Sequence, residues 1–372
     1  MRIALVVPGG VDRSGEYRVI PALLALIRRL SARNDVHVFA MRQESAPGEW
    51  PLAGAQVHNI GLPYTGIRAV NAIRRLHRAE RFDVIQSIWS GACGLVAVTA
   101  ARILSVPSLI HVAGGELVAL HEIRYGGRLS WRGRLREAVV LRAAQRLTAA
   151  SQPVIQALSN LGLHGERVPL GVDIRAWTAR APVRRAVGRP PQLIHLATLN
   201  EVKDQTTLLG ALACLRKAGE NFRMDIVGED TLNGAMQALT ERLGLSAHVR
   251  FHGFLTQVQL RPIVEAADIM VMSSRHETGP LAMLEAAVAG VPTVGTAVGH
   301  IAEWAPDASV AVPVGDAVAL AGAVRQLLGD EALRFRIATA AQKRAVAEDA
   351  DYTARQFETL YAALTGSRRR IE

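Results

Sequence analysis

Cysteine is nearly missing from this sequence: Cys93 and Cys214 are its only two, each inside an apolar segment and in different halves of the chain. Two such residues build neither a disulfide framework nor a zinc site, and they fit a reducing compartment. No charged segment followed by a long apolar core and a cleavage site opens the chain, so no secretory leader is expected. The longest apolar stretch, Gly91 to Leu104, is too short to span a bilayer and contains Arg102. The expected location is the cytoplasm.

Several chemical signatures are also missing. No Gly-x-Gly-x-x-Gly follows the first apolar run, which leaves a nicotinamide oxidoreductase without support. There is no Gly-Lys-Ser/Thr phosphate loop, no Gly-x-Ser-x-Gly elbow and no Cys/His cluster for zinc. The one Asp-x-Asp, Asp349-Ala350-Asp351, stands in a polar joint before the last helical pattern and reads as helix capping rather than as a metal site. Neither a metal nor a cofactor is expected.

What the chain has in quantity is arginine, unevenly placed. Residues 1–170 carry 21 arginines, no lysine and 11 acidic residues, a net +10 that equals the formal charge of the whole chain. The remainder is neutral. A charge excess confined to one half calls for an anionic partner there, such as a phospholipid surface, a lipid phosphate or a nucleic acid. The stretch 122–147 concentrates the arginines and spaces Trp131, Leu135 and Val139 along one helical face. It can lie on an anionic membrane, at the inner face of the cell membrane, or it can be a solvated helix covering a core. The expectation keeps the membrane surface and leaves nucleic acid out; oligomeric state is not legible.

At 372 residues, 49% of them hydrophobic, the chain has the length for two globular domains. Short β-branched runs alternate with longer amphipathic stretches, the pattern of βαβ units around a parallel sheet. In the first half strands are expected at 2–8, 35–41, 55–61, 83–88, 108–114 and 146–151. Between the first two, Ile20, Leu23, Leu24, Ile27 and Leu30 form one apolar stripe, with Arg28 and Arg29 outside it. The alternation restarts with strands at 192–199, 222–228, 249–254, 268–274 and 293–299. Residues 178–191, rich in Pro, Arg and Ala, read as a linker. The expected division is therefore 1–177, linker 178–191, 192–348, and a final helical segment 349–372 that packs back on the first domain. Apart from the terminal SRRRIE there is no low-complexity tract.

The most pointed local signal is residues 273–296. A strand ends near Ser274; Glu277, Thr278, Gly279 and Pro280 follow, and then an alanine-rich helix. Thr278 is the expected N-cap, with Pro280 in the first helical turn. A glycine-containing strand-to-helix turn leaves backbone N–H groups unsatisfied beside the positive end of the helix dipole, a geometry that binds phosphate or sugar hydroxyls. Glu277 stands before the helix and Glu285 one turn into it, on the face of Leu281. Two carboxylates so placed can accept from several hydroxyls of one polyol. The plain alternative is that Glu277 favours the helix start and Glu285 is a solvated helix residue.

This segment resembles the signature of the retaining glycosyltransferases of family 4, in which Glu-x7-Glu precedes an alanine-rich helix and Gly-x-Pro, here Gly290-Val291-Pro292. The resemblance implies an α/β fold of the GT-B type, two Rossmann-like domains with parallel sheets facing a central cleft. It implies a transferase that takes a nucleotide diphosphate sugar as donor and needs no metal. Glu277 would contact donor-sugar hydroxyls and Glu285 the nucleotide ribose, while the turn around Gly279 and Leu281 faces sugar and diphosphate. Other pieces follow in the family's order: the strand ending at Gly228, the base-holding loop at Gly253 and Phe254, the segment with Gly171 and Asp173, and a helix capped by Asp316. Lys203 takes the place of the diphosphate-binding lysine, in a chain with only 3 lysines among 43 basic residues. Five positions earlier the family's arginine is replaced by Thr198, and Arg275 is a candidate substitute. On the acceptor side the resemblance points to Gly9, Gly10, Gly114 and Glu116. His111 stands two residues before Ala113, the position of the family's histidine, and receives no catalytic role.

Transfer to a glycan, lipid-linked or small-molecule acceptor, with retention of configuration, is the expected activity. A non-hydrolysing sugar-nucleotide epimerase of the same architecture and a catalytically weak nucleotide-sugar-binding scaffold stay open beside it.

Overall fold

The computed structural model describes residues 1–185 and 188–366, and the chain divides into two compact units. The first is Met1–Asp173 together with the chain from Glu348 onward; the second is Ile174–Ala347. Residues 186–187 of the expected linker and the terminal SRRRIE lie outside the described residues.

The first unit runs through β1 (Arg2–Val7), α1 (Pro21–Ser31), β2 (Asp35–Ala40), β3 (Gly48–Leu52), β4 (Ala55–Asn59) and α2 (Thr65–Ala79). Then come β5 (Val84–Ile88), α3 (Ala92–Leu104), β6 (Ser108–Val112), α4 (Trp131–Ala143), β7 (Arg146–Ala149), α5 (Gln152–Ser159) and β8 (Glu166–Arg167). The strands lie in the order β3-β4-β2-β1-β5-β6-β7-β8, and only β3 on β4 is antiparallel. Alternation along β1 explains why both faces are covered. Ala4 and Val6 enter one apolar cluster with Phe39, Ile85 and Ile110, whereas Ile3, Leu5 and Val7 enter another with Leu23, Ile27 and Leu30.

In α1, Pro21 fills the first turn, where its missing N–H costs nothing, and Leu23, Leu24, Ile27 and Leu30 are buried as the stripe requires. The β3 strand was not expected. Of its residues only Trp50 is buried, and it contains Pro51, which is tolerated because β3 is the sheet edge.

The second unit contains β9 (Gln192–Leu196), α6 (Gln205–Lys217), β10 (Arg223–Val227), α7 (Ala235–Arg242), β11 (Val249–Gly253) and α8 (Gln257–Ala266). It continues with β12 (Ile269–Met272), α9 (Leu281–Val288), β13 (Thr293–Thr296), α10 (Gly299–Trp304), β14 (Val310–Val312), α11 (Ala317–Gly329) and α12 (Glu331–Ala347). The sheet is wholly parallel, in the order β11-β10-β9-β12-β13-β14. The strand expected over 293–299 stops at Thr296, because Gly299 already opens α10. The three-residue β14 is too short to show a periodicity and was missed. Asp316 caps α11, its carboxylate accepting from Ala319 N at 2.8 Å.

The chain then returns to the first unit as α13 (Ala350–Gly366), which packs on α1 and buries Phe357 and Tyr361. Asp349 caps it by accepting from Tyr352 N at 2.8 Å. Arg29, outside the apolar stripe, bonds Asp173 at 2.9 Å and also Asp351.

Both sheets share one topological feature. The chain lays strands outward on one side of its first strand, then crosses to the other side, so the order reverses between β1 and β5 and between β9 and β12. Loops leaving the carboxyl ends of such strand pairs diverge and open a crevice, which is where open α/β sheets bind ligands.

Candidate active site

In the second unit the two strands at the reversal, β9 and β12, deliver the central pair of charges. After β9 the chain turns at Asn200, whose side chain accepts from Lys203 N at 3.0 Å. Asp204 follows in the left-handed conformation and caps α6 by accepting from Thr207 N. After β12 the chain is tied to this loop: Ser273 Oγ donates to Lys203 O at 2.8 Å, and Arg275 N donates to Val202 O at 2.8 Å. Lys203 Nζ thereby reaches Glu277 Oε1 at 2.5 Å, and Ser274 Oγ donates to the same oxygen at 2.7 Å. The Lys203 side chain is 24% exposed and that of Glu277 9%, so the pair faces little water. Beneath it His195 is fully buried; its Nδ1 meets Val271 O at 2.8 Å, and burial pushes its midpoint down to about 4. That imidazole is neutral near pH 7.

The helix after this turn differs from expectation at its start. Thr278 does not cap it: α9 begins at Leu281, and Pro280 is the N-cap, in an extended conformation and with no side-chain hydrogen bond. An N-cap oxygen must accept from the second or third helical residue, and Thr278 stands two positions too early. Its side chain is buried instead. Leu281 supplies the first helical amide, which has no acceptor within the helix. Gly299 packs directly on this turn; a Cβ there would lie 2.9 Å from Thr278 O and 3.0 Å from Glu277 O.

Glu285 is not a solvated helix residue. From Met283 to Val288 every side chain of α9 is buried, and Glu285 among them is 6% exposed. One carboxylate oxygen accepts from Gln257 Nε2 at 3.1 Å, and Gln257 Oε1 accepts from Trp177 Nε1 at 2.5 Å. Burial, only partly opposed by the Gln257 hydrogen bond, pushes the Glu285 carboxyl up to about 7.

The other donor-side positions gather at the carboxyl ends of the neighbouring strands. Gly228 adopts φ 154°, and a Cβ there would fall 1.9 Å from Ala197 O, so only glycine lets these two loops touch. Gly228 N donates to Gly253 O at 2.9 Å, and Phe254 beside it is 53% exposed. Thr198 brings no cation; its carbonyl accepts from Gln205 Nε2 at 3.1 Å. Arg275 is held by Asp204 at 3.1 Å, next to the Lys203 loop. Sequence reasoning missed Ser274, Asp204, Gln257 and Trp177, since a lone polar residue carries no mark of a partner far along the chain. Among the described residues no group of three His, Cys, Asp or Glu could hold a metal ion.

In the first unit Gly9 and Gly10 leave β1. Gly10 has φ 77°, and a Cβ there would meet the Ile20 side chain at 2.6 Å. Glu116 is buried and spends its carboxylate on backbone amides, accepting from Ser90 N at 3.0 Å and Gly114 N at 2.6 Å. It braces the loops after β5 and β6. Burial raises its pKa against those hydrogen bonds. Close by, Glu137 accepts from Ser90 Oγ at 2.8 Å, and burial with the neighbouring Glu116 charge pushes it up to about 7. His111 lies inside β6, fully buried, with Nδ1 on Thr148 Oγ1 at 2.9 Å.

Two family models match the chain: residues 19–172 fit the glycosyl transferase 4-like domain, and residues 180–344 fit the glycosyl transferases group 1. Over 327 residues it is 27% identical to a glycogen synthase of Mycobacterium tuberculosis, covering 86% of this chain and 75% of that one. It is 26% identical over 329 residues to a D-inositol 3-phosphate glycosyltransferase of Pseudarthrobacter chlorophenolicus, covering 79% and 76%. Among solved structures, sucrose-phosphate synthase of Thermosynechococcus elongatus superposes with a TM-score of 0.81 at 18% identity, covering 99% of this chain and all of that one. HepE of Anabaena in complex with UDP-glucose gives 0.73 at 21% identity, covering 97% and 100%.

Proposed function

The chain belongs to the glycosyl transferases of group 1, with their GT-B architecture of two α/β units, and from that premise we propose that it moves a sugar from a nucleotide diphosphate sugar to an acceptor hydroxyl with retention of configuration and without a metal. The observation that carries this reading is the Lys203–Glu277 pair at 2.5 Å, set at the reversal of the second sheet beside the amide end of α9. Lys203 and those amides stabilise the charge that develops on the departing diphosphate, the task a divalent cation performs elsewhere. Arg275 supplies the second cation in place of the arginine lost at Thr198. Glu277 accepts from hydroxyls of the transferred sugar, and Glu285 from the ribose.

The acceptor hydroxyl attacks the anomeric carbon from the face that the diphosphate leaves. As the anomeric C–O bond breaks, its electron pair goes to the diphosphate, and the hydroxyl proton passes to a departing phosphate oxygen. A sugar-nucleotide epimerase is not favoured, because both halves of the chain match transferase models.

Anionic lipid is the proposed surface for the acceptor side. Trp131, Leu135 and Val139 stand one turn apart on α4 and are 62%, 57% and 48% exposed, with Arg128, Arg132, Arg134 and Arg142 around them. No helix among the described residues is long and apolar enough to cross a membrane. An apolar stripe edged by guanidiniums suits the plane of an anionic headgroup layer.

Thermal shift with a panel of nucleotide sugars, run with and without EDTA, tests the transferase reading. It is supported by stabilisation with a UDP- or GDP-sugar that EDTA leaves unchanged and Glu285→Ala abolishes. Stabilisation by NAD with no response to any nucleotide sugar sinks it.

A further inference from the structure

The excess charge of the first unit has a second focus, away from α4. A pocket of about 440 Å³ opens at the carboxyl end of β2, lined by Arg18, Arg42, Gln43, Glu44, Ser45 and Leu62. We propose that it holds a phosphate group carried by the acceptor, gripped by Arg18 and Arg42. The proposal rests on the reading that this unit receives the acceptor, and it names the chemical class.

Three features support an anion here. First, the lining carries two guanidiniums against one carboxylate, with Asp12 the further acid in electrostatic reach of Arg18. Glu44, the one acidic lining residue, accepts on both carboxylate oxygens from Arg13 at 3.0 Å, and the Arg13 guanidinium also stacks 4.9 Å from the Trp50 ring. Arg42 is exposed, and among the described residues no carboxylate pairs with it. Second, the walls are fixed. Gln43, 3% exposed, takes Val11 N at 3.0 Å on its side-chain oxygen and donates to Arg18 O at 3.3 Å. Arg18, itself in the lining, donates back to Gln43 O from a left-handed backbone at φ 52°. Third, Arg68 Nη1 donates to Leu62 O at 3.1 Å, adding a third guanidinium at the rim.

Two forked guanidiniums and the Ser45 hydroxyl match a tetrahedral anion better than a neutral sugar. The pocket stands beside Gly9, whose added Cβ would lie 3.6 Å from Arg42 O, at the carboxyl edge of the sheet from which α/β units take ligands. The volume admits a phosphate with a polyol-sized group attached.

The test uses the full chain with its donor site filled by UDP, so that added phosphate cannot bind at Lys203. Inorganic phosphate, glycerol 3-phosphate, and vesicles of phosphatidylglycerol or phosphatidylcholine are titrated by calorimetry at constant ionic strength. The expected result is saturable phosphate binding that weakens roughly tenfold in Arg42→Gln, the loss of one charge-assisted contact. Arg42 is exposed, so the variant folds, and an unchanged urea midpoint verifies this. Tight glycerol 3-phosphate binding assigns the phosphate to a soluble acceptor. Binding to phosphatidylglycerol vesicles alone, reduced by Arg42→Gln, assigns it to a lipid. UDP binding with no response to inorganic phosphate, glycerol 3-phosphate or phosphatidylglycerol vesicles, or a response equal in Arg42→Gln, overturns the inference and leaves the donor reading standing. Failure of UDP to bind overturns the donor reading instead.

Discussion

A donor that bonds to Glu285 must displace a proton. The carboxyl is buried, its midpoint is pushed up to about 7, and Gln257 gives it only one hydrogen bond. Ribose hydroxyls donate to the ionised form, so the apparent dissociation constant of UDP-glucose scales as one plus the ratio of protonated to ionised carboxyl. With that midpoint the factor is about 11 at pH 6, about 2 at pH 7 and about 1.1 at pH 8. Affinity therefore rises roughly tenfold from pH 6 to pH 8, with about one proton released per donor bound at the acid end. His195 titrates at about 4, below this window.

Stability moves the other way. Between about 4.5 and about 7 the folded chain holds a proton that the unfolded chain has lost, so stability falls as pH rises through that range and is flat above it. Glu285→Gln removes this cost, and the unliganded variant should be more stable than wild type at pH 8 by up to about 3 kcal/mol, with no advantage at pH 4. Calorimetric titration in two buffers of different ionisation enthalpy measures the proton release, and urea unfolding measures the stability. A wild-type affinity flat from pH 6 to 8, or a Gln variant with the wild-type pH dependence, would show that Glu285 does not control donor binding through its proton.

Three further outcomes are expected. Lys203→Ala should lower kcat by roughly 10²–10³ in a UDP-release assay while KM for the donor moves less, since Lys203 acts mainly on the leaving charge; a loss no greater than that of Lys217→Ala, at the far end of α6, would contradict it. Gly228→Ala should cost more than about 3 kcal/mol in urea unfolding, because the new Cβ would lie 1.9 Å from Ala197 O, whereas Gly219→Ala, with nothing within 4 Å, should cost about 1 kcal/mol. The double change Trp131→Ser and Leu135→Ser should weaken sedimentation with phosphatidylglycerol vesicles roughly tenfold and leave the urea midpoint unchanged, because both side chains are exposed; undiminished sedimentation would remove α4 from the contact.

The sequence revealed most where the physics is local. Runs such as Arg2–Val7 are apolar almost throughout because both sheet faces are covered, and their alternation with amphipathic stretches marks βαβ units without any alignment. Glu277 and Glu285 could be singled out because spacing and a glycine-proline turn are local patterns. What surrounds them was hidden. Gln257 and Trp177 reach Glu285 only through the fold, with 28 and 80 residues separating the bonded pairs. Thr278 misled because its composition suits a cap, yet Pro280 shifts the helix start to Leu281. Trp50 alone could not announce β3, and Glu116 gave no sign that backbone amides would occupy its carboxylate.

The turn between β12 and α9 is proposed as the seat of the nucleotide sugar. A crystal structure with UDP tests it most directly. Ribose hydroxyls are expected on Glu285, and a diphosphate against Lys203 and the Leu281 amide with no metal between them. UDP lodged elsewhere, with Glu285 still bonded only to Gln257, would contradict it.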